Sequence, residues 1–139
     1  MRLETADAKD RFAASPVLRL ATVSSNGKPH LVPCTFVAYG DNNFAIGIDN
    51  KPKVSAHLKR LRNITGNANV SAIVDHYDDD WQRLWWVRAD GEASILTNGG
   101  EYQRLWDLLR ARYRQYEGQT LNGPIIVTKV AVWSGWSYA

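Results

Sequence analysis

Apolar and polar positions change period several times along the chain, and each change predicts an element. Residues 4–14 (ETADAKDRFAA) read as a short helix closed by Ser15-Pro16. VLRLATV (17–23) is an apolar, β-branched run, and HLVPCTFVAY (30–39) is a second one. Asn26-Gly27 between them predicts a tight type I′ hairpin, which needs positive φ at both central residues. Pro33 cannot donate to a ladder and predicts an edge, a bulge or a kink. A turn at 40–43 leads into FAIGID (44–49), so the first three strands form a meander. After Asn50 the period becomes helical: Pro52 suits a first turn, and Val54, Leu58, Leu61 and Thr65 share a face up to Gly66-Asn67. VSAIVDHY (70–77) and QRLWWVRADGEASIL (82–96) are strands around an acidic loop. Asn98-Gly99-Gly100 opens a helix over 101–113, and IIVTKVAVW (125–133) is the last strand.

The order is therefore α-β-β-β-α-β-β-α-β. It predicts an α+β, mainly β domain over residues 1–139, a six-stranded antiparallel barrel with flanking helices, closed so that no edge is exposed. The turns between the first three strands are too short for parallel crossovers, which disfavours a doubly wound sheet.

Composition narrows the class. With 139 residues, 45% hydrophobic and 22% charged, the chain has the make-up of one globular domain. Cys34 is the one cysteine, so no internal disulfide framework exists. No apolar stretch approaches the roughly 20 residues of a membrane helix, and MRLETADAKDRF lacks a signal-peptide core. The expectation is a cytoplasmic protein with no membrane partner. A net charge of +3 is too mild to argue for nucleic acid. Its distribution is more telling. KPKVSAHLKRLR (51–62) carries five Lys and Arg and no acid, which suits a small anionic ligand.

Four groups of residues could carry chemistry. Asp49, Asn50, Lys51, Pro52 and Lys53 stand where a strand runs into a helix N-terminus; they read as a phosphate site or as a solvated cationic face. The acids of HYDDDW (76–81) read as a polar loop, since no cation-binding spacing follows them. Trp85 and Trp86 point to opposite faces of a strand, so one can be core while the other faces a groove, with Trp133 and Trp136 as candidate neighbours. His30, His57 and His76 read as structural, and Cys34 as buried and inert. No protein nucleophile is evident, so catalytic residues stay unassigned. That lack favours a cofactor as the reactive group.

LATVSSNGKPHLVPCTF (20–36), FAIGIDNKPK (44–53), LRNITGNANVSAIVDHY (61–77) and WWVRADGEASIL (85–96) together resemble the flavin and deazaflavin oxidoreductases with the pyridoxamine 5′-phosphate oxidase-like split β-barrel. The combination of KPK, LKRLRNI, VDHYDDDW, LWWVRADG and WSGW is similar to the actinobacterial branch that uses coenzyme F420 in place of FMN. The resemblance implies a homodimer with two sites at its interface. It implies hydride transfer from reduced F420 to an activated C=C or conjugated small-molecule acceptor. It sets Leu31, Val32, Pro33, Cys34 and Thr35 along the ring, and Ile48, Asp49, Lys51 and Lys53 at the ribityl and phosphate end with Arg60 near. Trp85, Trp86 and Arg88 would come from the other subunit. Asn67-Ala68-Asn69 replaces the family's Asn-Pro, and Lys51-Pro52-Lys53 replaces its Ser-Arg-Lys clamp. An FMN-binding protein on the same fold, or a non-catalytic F420 or flavin carrier, is the alternative.

Overall fold

The structure is a computed structural model that describes residues 1–48 and 55–139. Its elements are α1 (Thr5–Ala14), β1 (Leu18–Val23), β2 (Pro29–Cys34), β3 (Val37–Tyr39), β4 (Asn43–Gly47), α2 (Ser55–Gly66), β5 (Asn69–His76), β6 (Trp85–Leu96), α3 (Gly100–Arg112) and β7 (Ile125–Ser137). The strands form one antiparallel sheet of seven, in the order β2-β1-β5-β6-β7-β4-β3.

The count of six strands is thus corrected to seven, and the predicted meander is broken. The run over 30–39 pairs with β1 through its first part and with β4 through its last. Those partners lie at opposite ends of the sheet, and the chain crosses between them in two residues, Thr35 and Phe36. Three peptide steps reach about 11 Å. The sheet therefore curls until its two ends nearly meet, although β2 and β3 share no ladder.

Phe36 makes this break stable. Its ring is fully buried, and its backbone leaves the ladder for side chains of the α3 end. The Phe36 N–H donates to the Tyr113 hydroxyl at 3.0 Å, and Arg112 donates to the Phe36 carbonyl at 2.8 Å. The Tyr113 hydroxyl also lies 2.8 Å from the carbonyls of Phe36 and Pro16, to one of which it donates at a time. Tyr113→Phe should cost about 1–3 kcal/mol, since it strands the Phe36 N–H. Urea unfolding checks this; an unchanged midpoint would show that Arg112 alone secures the crossing.

The first hairpin also departs from expectation. Gly27 has φ 84°, and no non-glycine residue in the described chain has positive φ, so Asn26 does not adopt the type I′ geometry. The Gly27 N–H donates to the Ser24 carbonyl and the Ser24 N–H to the Lys28 carbonyl. This is a longer loop in which the glycine alone takes the left-handed position.

Two cores result. In the larger one, Phe12 of α1 packs into the curled sheet, 5.1 Å from Phe36, 5.4 Å from Phe44 and 5.1 Å from Trp133, ring centre to ring centre. In the smaller, α3 buries Tyr102, Leu105, Trp106 and Leu109 against Ala45 and Ile125. The segment predicted as strand at 82–84 contains a 3-10 turn, Trp81–Arg83, where Asp80 accepts from the Gln82 N–H. Of the acids in the 75–80 stretch, Asp75 pairs with Arg19 of β1, while Asp78 accepts from the Asp80 N–H at 2.8 Å and faces His76 and Arg83. That N–H, the chief cause, holds the Asp78 carboxyl below the usual range.

Candidate functional site

Alternation along β2 sends Leu31 and Pro33 outward and His30, Val32 and Cys34 inward. α2 lies against β1 beside this strand, tied down by a buried bond from the Asn63 amide to the Thr22 hydroxyl at 3.0 Å. The packing brings Arg60 of α2 onto Cys34, with a guanidinium N–H donating to Sγ at 2.8 Å. Arg60 is only 4% exposed, and among the described residues its Nε has no acceptor. Among the described residues no carboxylate contacts it.

The electrostatics around Arg60 are one-sided. Burial pushes the Cys34 thiol up, against the opposing pull of Arg60, so at neutral pH the sulfur is a thiol and does not neutralise the guanidinium. His30 sits close by with its Nδ1 buried and, among the described residues, unpartnered. Its pKa is lowered, first by burial and then by Lys59 and Arg60. A buried cation without a counter-charge costs several kcal/mol. Two buried nitrogens without a partner among the described residues, set among cations, form a place that a bound anion would satisfy.

The sequence-predicted site residues meet different fates. Cys34 and Arg60 are in direct contact. Val32 packs against the larger core, and Ile48 is buried in it, donating its N–H to the Pro124 carbonyl. Leu31 is 69% exposed and faces away from Arg60. Thr35 turns towards α3, 3.0 Å from the Tyr116 hydroxyl. Asp49, Lys51 and Lys53 lie outside the described residues. Trp85, Trp86 and Arg88 are on β6, separated from β2 by β1 and β5. At about 4.8 Å per strand, that is some 14 Å along the sheet. Within one chain the two sets do not meet. Trp85 packs on the core with Arg11 over its ring, whereas Trp86 faces outward opposite Trp136.

His30 and Lys59 are additions that sequence reasoning missed as site residues. The signal was present: His30 is four residues before Cys34, hence on the same strand face.

The family described as pyridoxamine 5′-phosphate oxidase matches residues 5–136. No curated protein matches the sequence. Solved structures match over nearly the whole chain. An FAD-binding protein of Mesorhizobium loti has a TM-score of 0.73 at 20% identity, covering 97% of this chain and 95% of its own. HutZ, the heme storage protein of Vibrio cholerae, has a TM-score of 0.72 at 19% identity, with 99% and 95% covered. The FAD-binding protein of Mycobacterium smegmatis has a TM-score of 0.65 at 16% identity, with both chains covered in full. At these identities the likeness concerns the fold.

Proposed function

The chain belongs to the pyridoxamine 5′-phosphate oxidase family, and from that premise we propose that it is a homodimeric reductase holding a phosphate-bearing, flavin-type coenzyme beside Arg60. The coenzyme is deazaflavin F420 in our reading, with FMN as the alternative. The observation that carries the reading is the buried, uncompensated Arg60 guanidinium with the open Nδ1 of His30 beside it. These donors fit an anionic group: a guanidinium and an imidazole each offer N–H bonds to phosphate oxygens.

F420 is favoured over FMN by charge. α2 presents Lys59 and Arg62 on its exposed side, beyond the buried Arg60, and neither has a carboxylate partner among the described residues. A phosphodiester with a carboxylate-bearing tail uses such a track; a single terminal phosphate does not need it. Lys51 and Lys53 would extend it.

When bound, the coenzyme supplies hydride chemistry, for which no protein nucleophile is required. The chain's own residues bind and orient. Arg60 and His30 fix the anionic end. Trp86 and Arg88 act on the acceptor side of a site completed by a second copy, where Trp86 is an aromatic wall.

Intrinsic Trp fluorescence titrated in parallel with F420 and FMN tests the reading. Saturable quenching at micromolar F420, with FMN much weaker, supports it. Preference for FMN moves the protein to the flavin alternative, binding without turnover of any acceptor makes it a carrier, and no response to either overturns the assignment.

His30 adds a pH signature. In the free protein its pKa lies below 6.5, so the unfolded chain takes up the proton first and stability falls as pH drops through that value. A phosphate nearby acts the opposite way and draws the proton on. Coenzyme affinity should therefore rise on acidification, by up to about tenfold for each unit by which the anion lifts His30. His30→Gln should remove this component in titrations at pH 7.5 and 5.5. Parallel pH profiles for the two proteins would exclude His30 from the site.

A further inference from the structure

A cavity of about 530 Å³ lies where the N-terminal segment runs beside the β6–β7 ladder. We propose that it binds a planar aromatic carboxylate. Ligand pockets of several hundred Å³ hold molecules of that size.

Its walls are built. Trp86 and Trp136 are direct cross-strand partners on the outer face. Trp136 packs edge-on against Tyr138. The Trp86 and Trp136 indoles thus present flat apolar surface on one face of the ladder, the arrangement that a planar ring system fills by stacking.

The chain start runs beside β7 as a short edge segment, with Arg2 standing opposite Trp136. The Leu3 N–H donates to the Gly135 carbonyl at 3.0 Å, and the Ser137 N–H to the Met1 carbonyl at 2.8 Å. Gly135 permits this approach, because a Cβ there would stand 3.0 Å from Leu3 Cδ1 and 3.2 Å from Leu3 Cβ.

Charge selects the ligand. Arg2 is the lining residue that carries charge, and among the described residues it has no acidic partner. The neighbouring Arg88 is already committed, lying over the Trp86 ring at 5.9 Å and bonded to Asp90 at 3.0 Å. Arg2 repels the cations that Trp faces would otherwise attract. Thr5 and Ser134 add hydroxyl donors at the rim. Aromatic walls, one open cation and no acid define an aromatic acid. That this occupant is also the hydride acceptor rests on the functional reading above; its binding does not.

The test is isothermal titration of the full cofactor-free chain with 2-naphthoate and, as an uncharged isostere, 2-naphthamide. The expected result is saturable binding of both, with the carboxylate at least about tenfold tighter. Arg2→Gln should erase that preference while retaining the amide. Trp136→Ala should weaken both. Val132→Glu, at a site 54% exposed and so harmless to folding, should abolish naphthoate binding by repulsion. Absence of saturable binding, or equal affinities unaffected by Arg2→Gln, overturns the proposal. Naphthoate binding without any response to F420 or FMN would sink the coenzyme reading and leave this one standing.

Discussion

Gly91→Ala is expected to cost about 3 kcal/mol or more, at the upper end of what overpacking does. Gly91 stands at the one register shift in the β6–β7 ladder, where Asp90 faces Val132 and Gly91 faces Val130, so Ala131 is the extra residue of a bulge. A Cβ on Gly91 would meet the Lys129 carbonyl oxygen at 2.2 Å, its carbon at 2.9 Å and Val130 Cα at 2.9 Å. Every one of these atoms is backbone, so nothing can rotate aside. Relief requires prising the two longest strands apart at the centre of the sheet. For a domain of this length each kcal/mol moves Tm by roughly 3–5 °C, so the variant should melt about 10 °C or more below the parent. Gly100→Ala is the matched control. No atom lies within 4 Å of its added methyl, and the position opens α3, so stability should hold or rise by about 0.5–1 kcal/mol. Equal melting of parent and Gly91→Ala would mean that the bulge opens freely.

The elements themselves were legible because each is marked by local chemistry. The Asn98-Gly99-Gly100 signal places α3 within one residue, since Gly99 at φ 105° is a position that only glycine takes at ease. The strands at 44–49, 70–77 and 125–133 appear at 43–47, 69–76 and 125–137, as β-branched runs bounded by turns suggest. The split of 30–39 was not legible. Its cause is Tyr113 and Arg112, which arrive from more than 70 residues away to satisfy the Phe36 backbone. Pro33 hinted at an irregularity, but the break falls at 35–36, where long-range partners exist.

The candidate site divides in the same way. The basic run 51–62 was visible in sequence, but not which of its cations would be buried. Helix phase and the docking of α2 by Asn63 on Thr22 decide that Arg60 turns inward while Lys59 and Arg62 stay out. Cys34 was correctly expected to be buried, yet its guanidinium neighbour could not be read from residues 26 positions apart. Trp85 and Trp86 followed the two-face rule: one packs on the core and the other looks out.

Replacing Arg60 by methionine should lower coenzyme affinity about a hundredfold, equivalent to ~2.7 kcal/mol, while leaving the free protein as stable as before or more so. The two effects have opposite signs because they come from the same uncompensated charge. In the free state the guanidinium is desolvated and, among the described residues, bonded only to a thiol, so an apolar side chain of similar length removes a cost. With an anion present, the guanidinium supplies charge-assisted bonds that methionine cannot. Arg60→Lys should fall between, as it keeps the charge but loses the planar fork. A merely structural arginine would behave differently: its loss would lower Tm and affinity together, and lysine would not rescue binding. Urea unfolding of the coenzyme-free variants, set beside their F420 and FMN titrations, separates the two cases. A destabilised Arg60→Met that still binds coenzyme normally would remove Arg60 from the site and take the charge argument with it.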